Sequence, residues 1–468
     1  MSKNLTVRDI VDCTNGKLII GDDNIVCKNY ERDSRIIKKD DVFLAIKGEN
    51  FNGNLLWKEA FNNGARVAIV TELDELNEDF SIWKDKAIIK VKDQIIALRQ
   101  IATKKRELYG EKFPVIAVTG SVGKTSTKDV IAGVLSEKYK VLKTQENLNN
   151  DIGVPLTVLR LQDEDVAVIE MGMNHFGEIS RLSKIVKPNL AVITNIGTSH
   201  IGNLGSRENI LKAKLEILDG MKVPYLIINK DNDLLHNWYE NNKDNITIKT
   251  FGIESKADTF ATNIELHEYN SDFICNYSDS HFNVRVPVPG RHFVLNSLCA
   301  ALIGKILELT DAQIKIGIEN FELTKKRMEI TNLKNGVRII NDSYNASFES
   351  MKASIEYLSN MEKGRKIAVL GDMFELGSYS EELHRKVGKE VAKNNIDLLL
   401  CAGKNSEYLA EEAEKQGMAK EKIYYKNTIE EIYEVLKDIL RDSDNVLIKA
   451  SNGMKFYTIA EKLAKGAK

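Results

Sequence analysis

The chain has 468 residues, 43% of them hydrophobic and 29% charged; at about 100–200 residues per domain, this predicts a globular protein of roughly three domains, each burying its own core. Lys and Arg total 66 against 68 Asp and Glu, a net charge of -2, so no basic excess argues for a nucleic acid or an anionic membrane as partner. Five scattered cysteines (Cys13, Cys27, Cys275, Cys299, Cys401) form no CxxC pair and read as reduced thiols of a cytoplasmic protein; the opening MSKNLTVRDI lacks a signal-peptide core, and no apolar run of about 18 residues is present to insert into a membrane.

From residue 1 to 85, short β-like runs (Lys17–Ile20, Val42–Ile46, Val67–Val70) alternate with turn residues and a helical stretch near Leu56–Asn63. This pattern predicts a small α/β domain. Its polar punctuation is Asp33-Ser34-Arg35, Lys47-Gly48-Glu49-Asn50 and Asn52-Gly53, which reads first as turns between strands.

From 86 to 321 the pattern becomes strand, helix, strand. PVIAVTGSVGKTST, Pro114–Thr127, is an apolar strand, a glycine turn and the start of a helix. Gly120 and Gly123 let the backbone approach an anion, the N–H groups of the loop point inward, and the helix opening at Lys124 brings its positive dipole end to the same spot. Lys124 would reach the β/γ-phosphates and the Thr125 hydroxyl would meet Mg²⁺. Val118 stands where the usual phosphate loop has its first glycine, leaving the shorter T-G-x-x-G-K-T.

The runs Val166–Glu170, Leu190–Asn195 and Tyr225–Asn229 suit buried parallel strands, and each ends in a polar residue. In an open α/β sheet the ligand crevice lies at such strand ends, so Glu170 is the natural carboxylate for Mg²⁺. His200 follows on the next loop; taken alone, a single histidine is more often structural. Asn229–Asp233 reads as a loop or helix cap. Pro289-Gly290-Arg291-His292 precedes a helix expected from Val294, with Asn296 in its first turn.

From 322 to 468 a second doubly wound pattern follows, with strands over Val337–Asn341, Arg365–Leu370, Ile396–Cys401 and Val446–Lys449 and helices near 349–360, 380–394, 405–416, 427–440 and 454–465. Two loops at strand ends, Asp342-Ser343-Tyr344-Asn345 and Gly371–Gly377, carry carboxylates that suit a helix cap and a ligand equally.

In combination these motifs resemble the Mur ligases of peptidoglycan precursor synthesis, over nearly the whole chain. DSR and FLAIKGEN carry the resemblance in the first third. TGSVGKTSTKDV, NLNNDIGVPLTVL, EMGMNHFGEI, TNIGTSHI, AKLEI and PGRHFVLNSLCA carry it in the middle, and NDSYNAS and LGDMFELG in the last third. The resemblance implies an α/β protein of three domains: a UDP-substrate domain (1–85), a phosphate-loop ATPase domain with a mainly parallel sheet (86–321), and a Rossmann-like domain binding the incoming amine (322–468). It implies a monomeric ligase dependent on ATP and Mg²⁺, adding D-alanyl-D-alanine to a UDP-N-acetylmuramoyl-tripeptide through an acyl phosphate.

Carried over residue by residue, the resemblance gives ATP to Gly120, Ser121, Val122, Gly123, Lys124, Thr125 and Ser126. His292 and Asn296 would flank the adenine, and Arg327, Asp342 and Asn345 would complete the nucleotide site. Lys124, Glu170, His200 and Lys214 would be catalytic, with Thr125, Glu170, His200 and a carbamylated Lys214 holding Mg²⁺. Unmodified, Lys214 has no acceptor and reads as a solvated helix lysine. Ser34, Arg35, Lys47, Gly48, Asn149 and Asn150 would touch the UDP substrate.

The chain departs from the family's usual residues at Asn52-Gly53-Asn54, Lys326, Phe348 and Lys449-Ala450-Ser451-Asn452; an arginine fork is missing at 452. The alternatives left open are a related Mur or folylpolyglutamate-type ligase and an ATPase switch.

Overall fold

The structure is a computed structural model and describes residues 3–48, 51–75, 78–278 and 280–466. Glu49 and Asn50 of the expected substrate loop lie outside the described residues. The protein is α/β with mainly parallel sheets and packs as two compact units. One comprises Met1–Thr119, Tyr139–Val192 and Leu215–Leu226; the other comprises Gly120–Lys138, Ile193–Lys214 and Ile227–Lys468.

In the first unit, a five-stranded sheet has the order Lys17–Ile20, Ala87–Lys90, Val67–Val70, Val42–Leu44, Tyr30–Glu31. All its pairs are parallel except that between Lys17–Ile20 and Ala87–Lys90. Its last strand in sequence, Ala87–Lys90, lies past the expected boundary at 85. One face packs on Trp57 and Phe61 from the helix Trp57–Asn62, joined by Phe43, Ala68 and Ile88. The same unit holds the parallel strands Val115–Thr119, Val166–Glu170 and Val141–Lys143. Val115–Thr119 and Val166–Glu170 are buried at every position, which is why they read as unbroken apolar runs and not as alternating ones.

In the second unit, the strands Thr247–Gly252 and Thr259–Leu266 pair in parallel, and Ser271–Tyr277 and Ser280–Val286 then add antiparallel neighbours. No continuous apolar run marks these strands in the sequence. Their alternating burial, clearest along Ser271–Tyr277, marks half-exposed strands whose polar positions break up the apolar run. A separate six-stranded sheet has the order Glu329–Asn332, Arg338–Asn341, Asn445–Lys449, Lys366–Gly371, Leu398–Ala402, Ile423–Lys426. It is parallel apart from the antiparallel edge pair between its first two strands. Strand order reverses around Asn445–Lys449, the kind of switch point at which open α/β sheets bind ligands. Val337, Ile339, Val369, Leu400 and Val446 form the core on one face of this sheet.

No helix among the described residues is long and apolar enough to cross a membrane. The five cysteines are free thiols, four of them buried.

Candidate active site

The strand Val115–Thr119 ends at Gly120, which has φ 152. A Cβ there would sit 1.9 Å from the Thr194 hydroxyl, so only glycine lets the loop close on the neighbouring strand end. Gly123, with φ 81, is the N-cap of the helix Lys124–Ser136, and no side chain caps that helix. The orphan N–H groups of its first turn and its dipole therefore form an anion site.

The loop is held from behind by the sequence TNIG. Ser121 N donates to Asn195 O (3.0 Å), and Val122 N donates to Asn195 Oδ1 (3.0 Å). The Asn195 Nδ2 and Thr194 Oγ1 groups both donate to Val122 O, at 2.9 and 2.6 Å. Gly197 N donates to Ser121 Oγ (2.9 Å). The expectation that the loop N–H groups all point inward is thus corrected for Ser121 and Val122, which are spent on Asn195. Asn195 is thus more than a strand end: its side-chain amide is what fixes the cradle.

Lys124 curls over the loop, its Nζ donating to Gly120 O (2.8 Å) and Ser121 O (3.2 Å). Thr125 is buried, and its hydroxyl accepts a hydrogen bond from Arg327 Nη2 (2.7 Å). Arg327 stacks over the Tyr344 ring at 4.1 Å, and its Nε is buried without a partner. A guanidinium fork with one N–H unused suits an oxyanion. Ser126 is also buried.

The helix expected from Val294 begins earlier, at Arg291, and runs to Ile306. Gly290, with φ 118, serves as its N-cap and makes the turn that the sequence analysis placed further along. His292 therefore stands in the first turn and Asn296 in the second. The Asn296 Oδ1 accepts from the Thr127 hydroxyl (2.9 Å) while its Nδ2 is buried without a partner, a donor suited to a nucleobase acceptor. Burial pushes His292 down to about 4, against the opposing pull of Asp342.

Asp342 is engaged internally. It accepts from Ser354 Oγ (2.8 Å) and Met328 N (3.3 Å) and is ion-paired with buried Lys449. Asn345 Oδ1 accepts from the neighbouring Ala346 N (2.9 Å). Of these candidates from the last third, Arg327 alone is hydrogen-bonded to a phosphate-loop residue among the described contacts. Asp372, left open between cap and ligand, caps the helix Ser406–Lys415 by accepting from Ser406 N (2.8 Å) and Asn405 N (3.0 Å).

Lys214 sits at the end of the helix Arg207–Leu215, is 1% exposed, and has no hydrogen bond or ion pair among the described contacts. The reading of a solvated helix lysine is thus corrected. Burial, aided by Lys124, drives its amine well below the usual lysine range. His200 has φ 63 and sits with its Nδ1 against the Glu375 carboxylate.

In the first unit, Glu170 is buried; its Oε1 accepts from Asn149 Nδ2 (2.8 Å), and its Oε2 is buried without a partner. An unpartnered carboxylate oxygen fits a hard cation. Among the described residues no group of three or more His, Cys, Asp and Glu could hold a metal. Asn149 therefore orients Glu170, while Asn150 Oδ1 accepts from Gly153 N (2.9 Å) at the start of the helix Gly153–Leu159.

Elsewhere in that unit, Ser34 is buried and donates to Glu59 (2.8 Å). Arg35 is 81% exposed and, among the described contacts, is hydrogen-bonded to Asp33. Lys47 donates to Glu72 (2.8 Å), and Gly48 N donates to Phe51 O (2.7 Å).

Two departures acquire a structural account. Asn54 Oδ1 accepts from Thr71 N (2.8 Å) and Glu72 N (3.2 Å), fixing the end of the strand Val67–Val70. Lys326 has φ 63, the region that favours glycine, and its ammonium lies 3.5 Å over the Tyr457 ring. A cation–π contact of about 0.5–1 kcal/mol offsets a comparable backbone cost.

A family model for the Mur ligase middle domain matches residues 118–304, and one for the Mur ligase glutamate ligase domain matches 326–452. The chain is 36% identical over 462 residues to the UDP-N-acetylmuramoyl-tripeptide–D-alanyl-D-alanine ligase of Bacillus subtilis (strain 168), covering 98% of each. Its fold matches a crystal structure of MurF from Acinetobacter baumannii with TM-score 0.87 and 32% identity, over 99% of both chains. MurF ligase from Thermotoga maritima in complex with ADP matches with TM-score 0.79 and 28% identity, over 94% of this chain and 97% of that one. The chain belongs to the Mur ligase family, in its MurF group, and is an ATP-dependent ligase that forms an amide bond.

Proposed function

We propose that the protein joins D-alanyl-D-alanine to the terminal carboxylate of a UDP-N-acetylmuramoyl-tripeptide in the cytoplasm. The substrates are those named for its relatives. The observation that carries the reading is Arg327, bonded to Thr125 at an uncapped helix N-terminus with a buried, unused Nε.

A carboxylate is a poor electrophile. As one of its oxygens bonds to the γ-phosphorus of ATP, the bond from that phosphorus to ADP breaks, giving an acyl phosphate. The amine of D-alanyl-D-alanine then adds to the acyl carbon and loses a proton, and inorganic phosphate leaves with the electron pair of the C–O bond. Lys124, Arg327 and the helix N-terminus steady the charge that moves across the phosphates. Asn195 keeps the loop rigid meanwhile, so no reorganisation is needed at the moment of transfer.

Thr125, Glu170, His200 and a carbamate on Lys214 would hold Mg²⁺, whose chemistry when bound is to neutralise phosphate charge. A buried, neutral Lys214 amine is the form that attacks CO₂: its nitrogen bonds the carbon, a proton leaves to solvent, and an anionic oxygen ligand takes the place of the neutral amine. The domains would divide the labour, with 1–85 gripping the UDP substrate, 86–321 the ATP, and 322–468 the amine.

Phosphate release tests the reading: it should require UDP-N-acetylmuramoyl-tripeptide and D-alanyl-D-alanine together. Steady ATP hydrolysis without either would mark an ATPase switch, and release with single amino acids would mark a different ligase. For Lys214, ¹³C NMR under labelled bicarbonate should show a carbamate signal absent from Lys214→Ala, and short-chain carboxylates should partly rescue that variant. A wild-type spectrum without the signal, in active enzyme, would remove the carbamate from the scheme.

A further inference from the structure

His200 and Glu375 meet although they belong to different family-model spans, 118–304 and 326–452. Nδ1 of His200 is buried against the Glu375 carboxylate. The backbones are also joined: Gly202 N donates to Glu375 O (3.1 Å), and Tyr379 Oη donates to Gly205 O (2.8 Å). The approach is close enough that a Cβ on Gly202 would lie 2.5 Å from Gly377 N and 2.7 Å from Glu375 O. Both partners adopt left-handed backbone, each with φ 63. Such strain in two non-glycine residues persists only where surrounding contacts impose it, and it concentrates at functional sites. Glu375 is 47% exposed, and an exposed ion pair contributes too little stability to account for it.

We propose that Glu375 is a positioning residue for His200. A carboxylate on Nδ1 fixes the ring's tautomer and orientation and leaves Nε2 as the nitrogen that can bind a metal. Because the carboxylate arrives from the other span, His200 is set for its role only when the segment Glu375–Tyr379 is seated on the helix Ile201–Leu204. The inference rests on the proposed role of His200 as a Mg²⁺ ligand.

The test uses Mn²⁺ as the probe, with its affinity for the full-length, ADP-bound protein read by electron paramagnetic resonance. Glu375→Ala should weaken Mn²⁺ binding by about 10–100-fold, His200→Ala should do so at least as strongly, and the double variant should be no weaker than His200→Ala. Glu375→Gly, which suits φ 63, should show the same loss with an unchanged melting temperature, separating the effect from misfolding. Glu375→Gln, which keeps an acceptor oxygen for Nδ1–H, should recover most of the affinity. Gly202→Val, which wedges the two segments apart, should mimic Glu375→Ala. If His200→Ala weakens Mn²⁺ while Glu375→Ala does not, the positioning role is overturned and the metal role of His200 stands. If His200→Ala leaves Mn²⁺ affinity unchanged, the metal role itself falls, and the inference with it.

Discussion

Lys124 touches the two carbonyls of its own loop that flank the anion site, Gly120 O and Ser121 O, so its ammonium is held at the mouth of the phosphate cradle. Lys124→Ala should reduce kcat by about 10²–10³-fold or more, by analogy with removing a single transition-state donor, while circular dichroism stays native. Product formation near the wild-type rate in that folded variant would overturn the phosphate-loop assignment. His292 makes a second residue-scale prediction. Its folded-state value is depressed from 6.5 to about 4 by burial, so below 6.5 the unfolded chain binds a proton that the folded chain refuses. Stability is therefore fully present above about 6.5 and is lost as pH falls toward about 4. The urea midpoint should drop over that window, and His292→Gln should flatten this part of the slope.

At the scale of elements, the helix Phe348–Ser359 brings Glu349 to the loop that follows Asn195: Glu349 Oε1 accepts from Thr198 N (2.8 Å), and Oε2 from Thr198 Oγ1 (3.1 Å). Ser347 starts that helix through a capping box with Ser350. Ser347→Ala should cost about 1 kcal/mol, read as a lower urea midpoint at unchanged slope, and it should slow ligation by loosening Glu349. The strands Val67–Val70, Val166–Glu170 and Tyr225–Asn229 were legible because burial on both faces writes itself as a continuous apolar run. The antiparallel strands between Thr259 and Val286 were not read, because each shows only one face to the core. The start of the helix at Arg291 was missed because Gly290, with a positive φ of 118, and not a Ser, Thr or Asp, caps it.

On the scale of the whole molecule, four of the proposed UDP-binding residues, Ser34, Arg35, Lys47 and Gly48, lie in the first sheet's loops, far in sequence from the phosphate loop, and Arg35 is exposed and paired with Asp33. Arg35→Ala should raise KM for the UDP substrate by about 10-fold, the worth of roughly one charge-assisted hydrogen bond, and leave KM for ATP and kcat almost unchanged. Equal changes for both substrates would instead point to a folding defect.

The sequence by itself determined the fold class, the family, and the position of the anion site, because a glycine turn between a buried strand and a helix forms from neighbouring residues and leaves its mark in consecutive letters. Tertiary structure alone decided which groups complete that site. Asn195 pins the loop from 73 residues away, and Arg327 reaches Thr125 across 202. Whether Lys214 is solvated or buried, whether Asp342 is open or paired with Lys449, and which side chain faces His200 all depend on neighbours distant in the chain. Desolvation and ion pairing are set by packing, and no local pattern of residues encodes them.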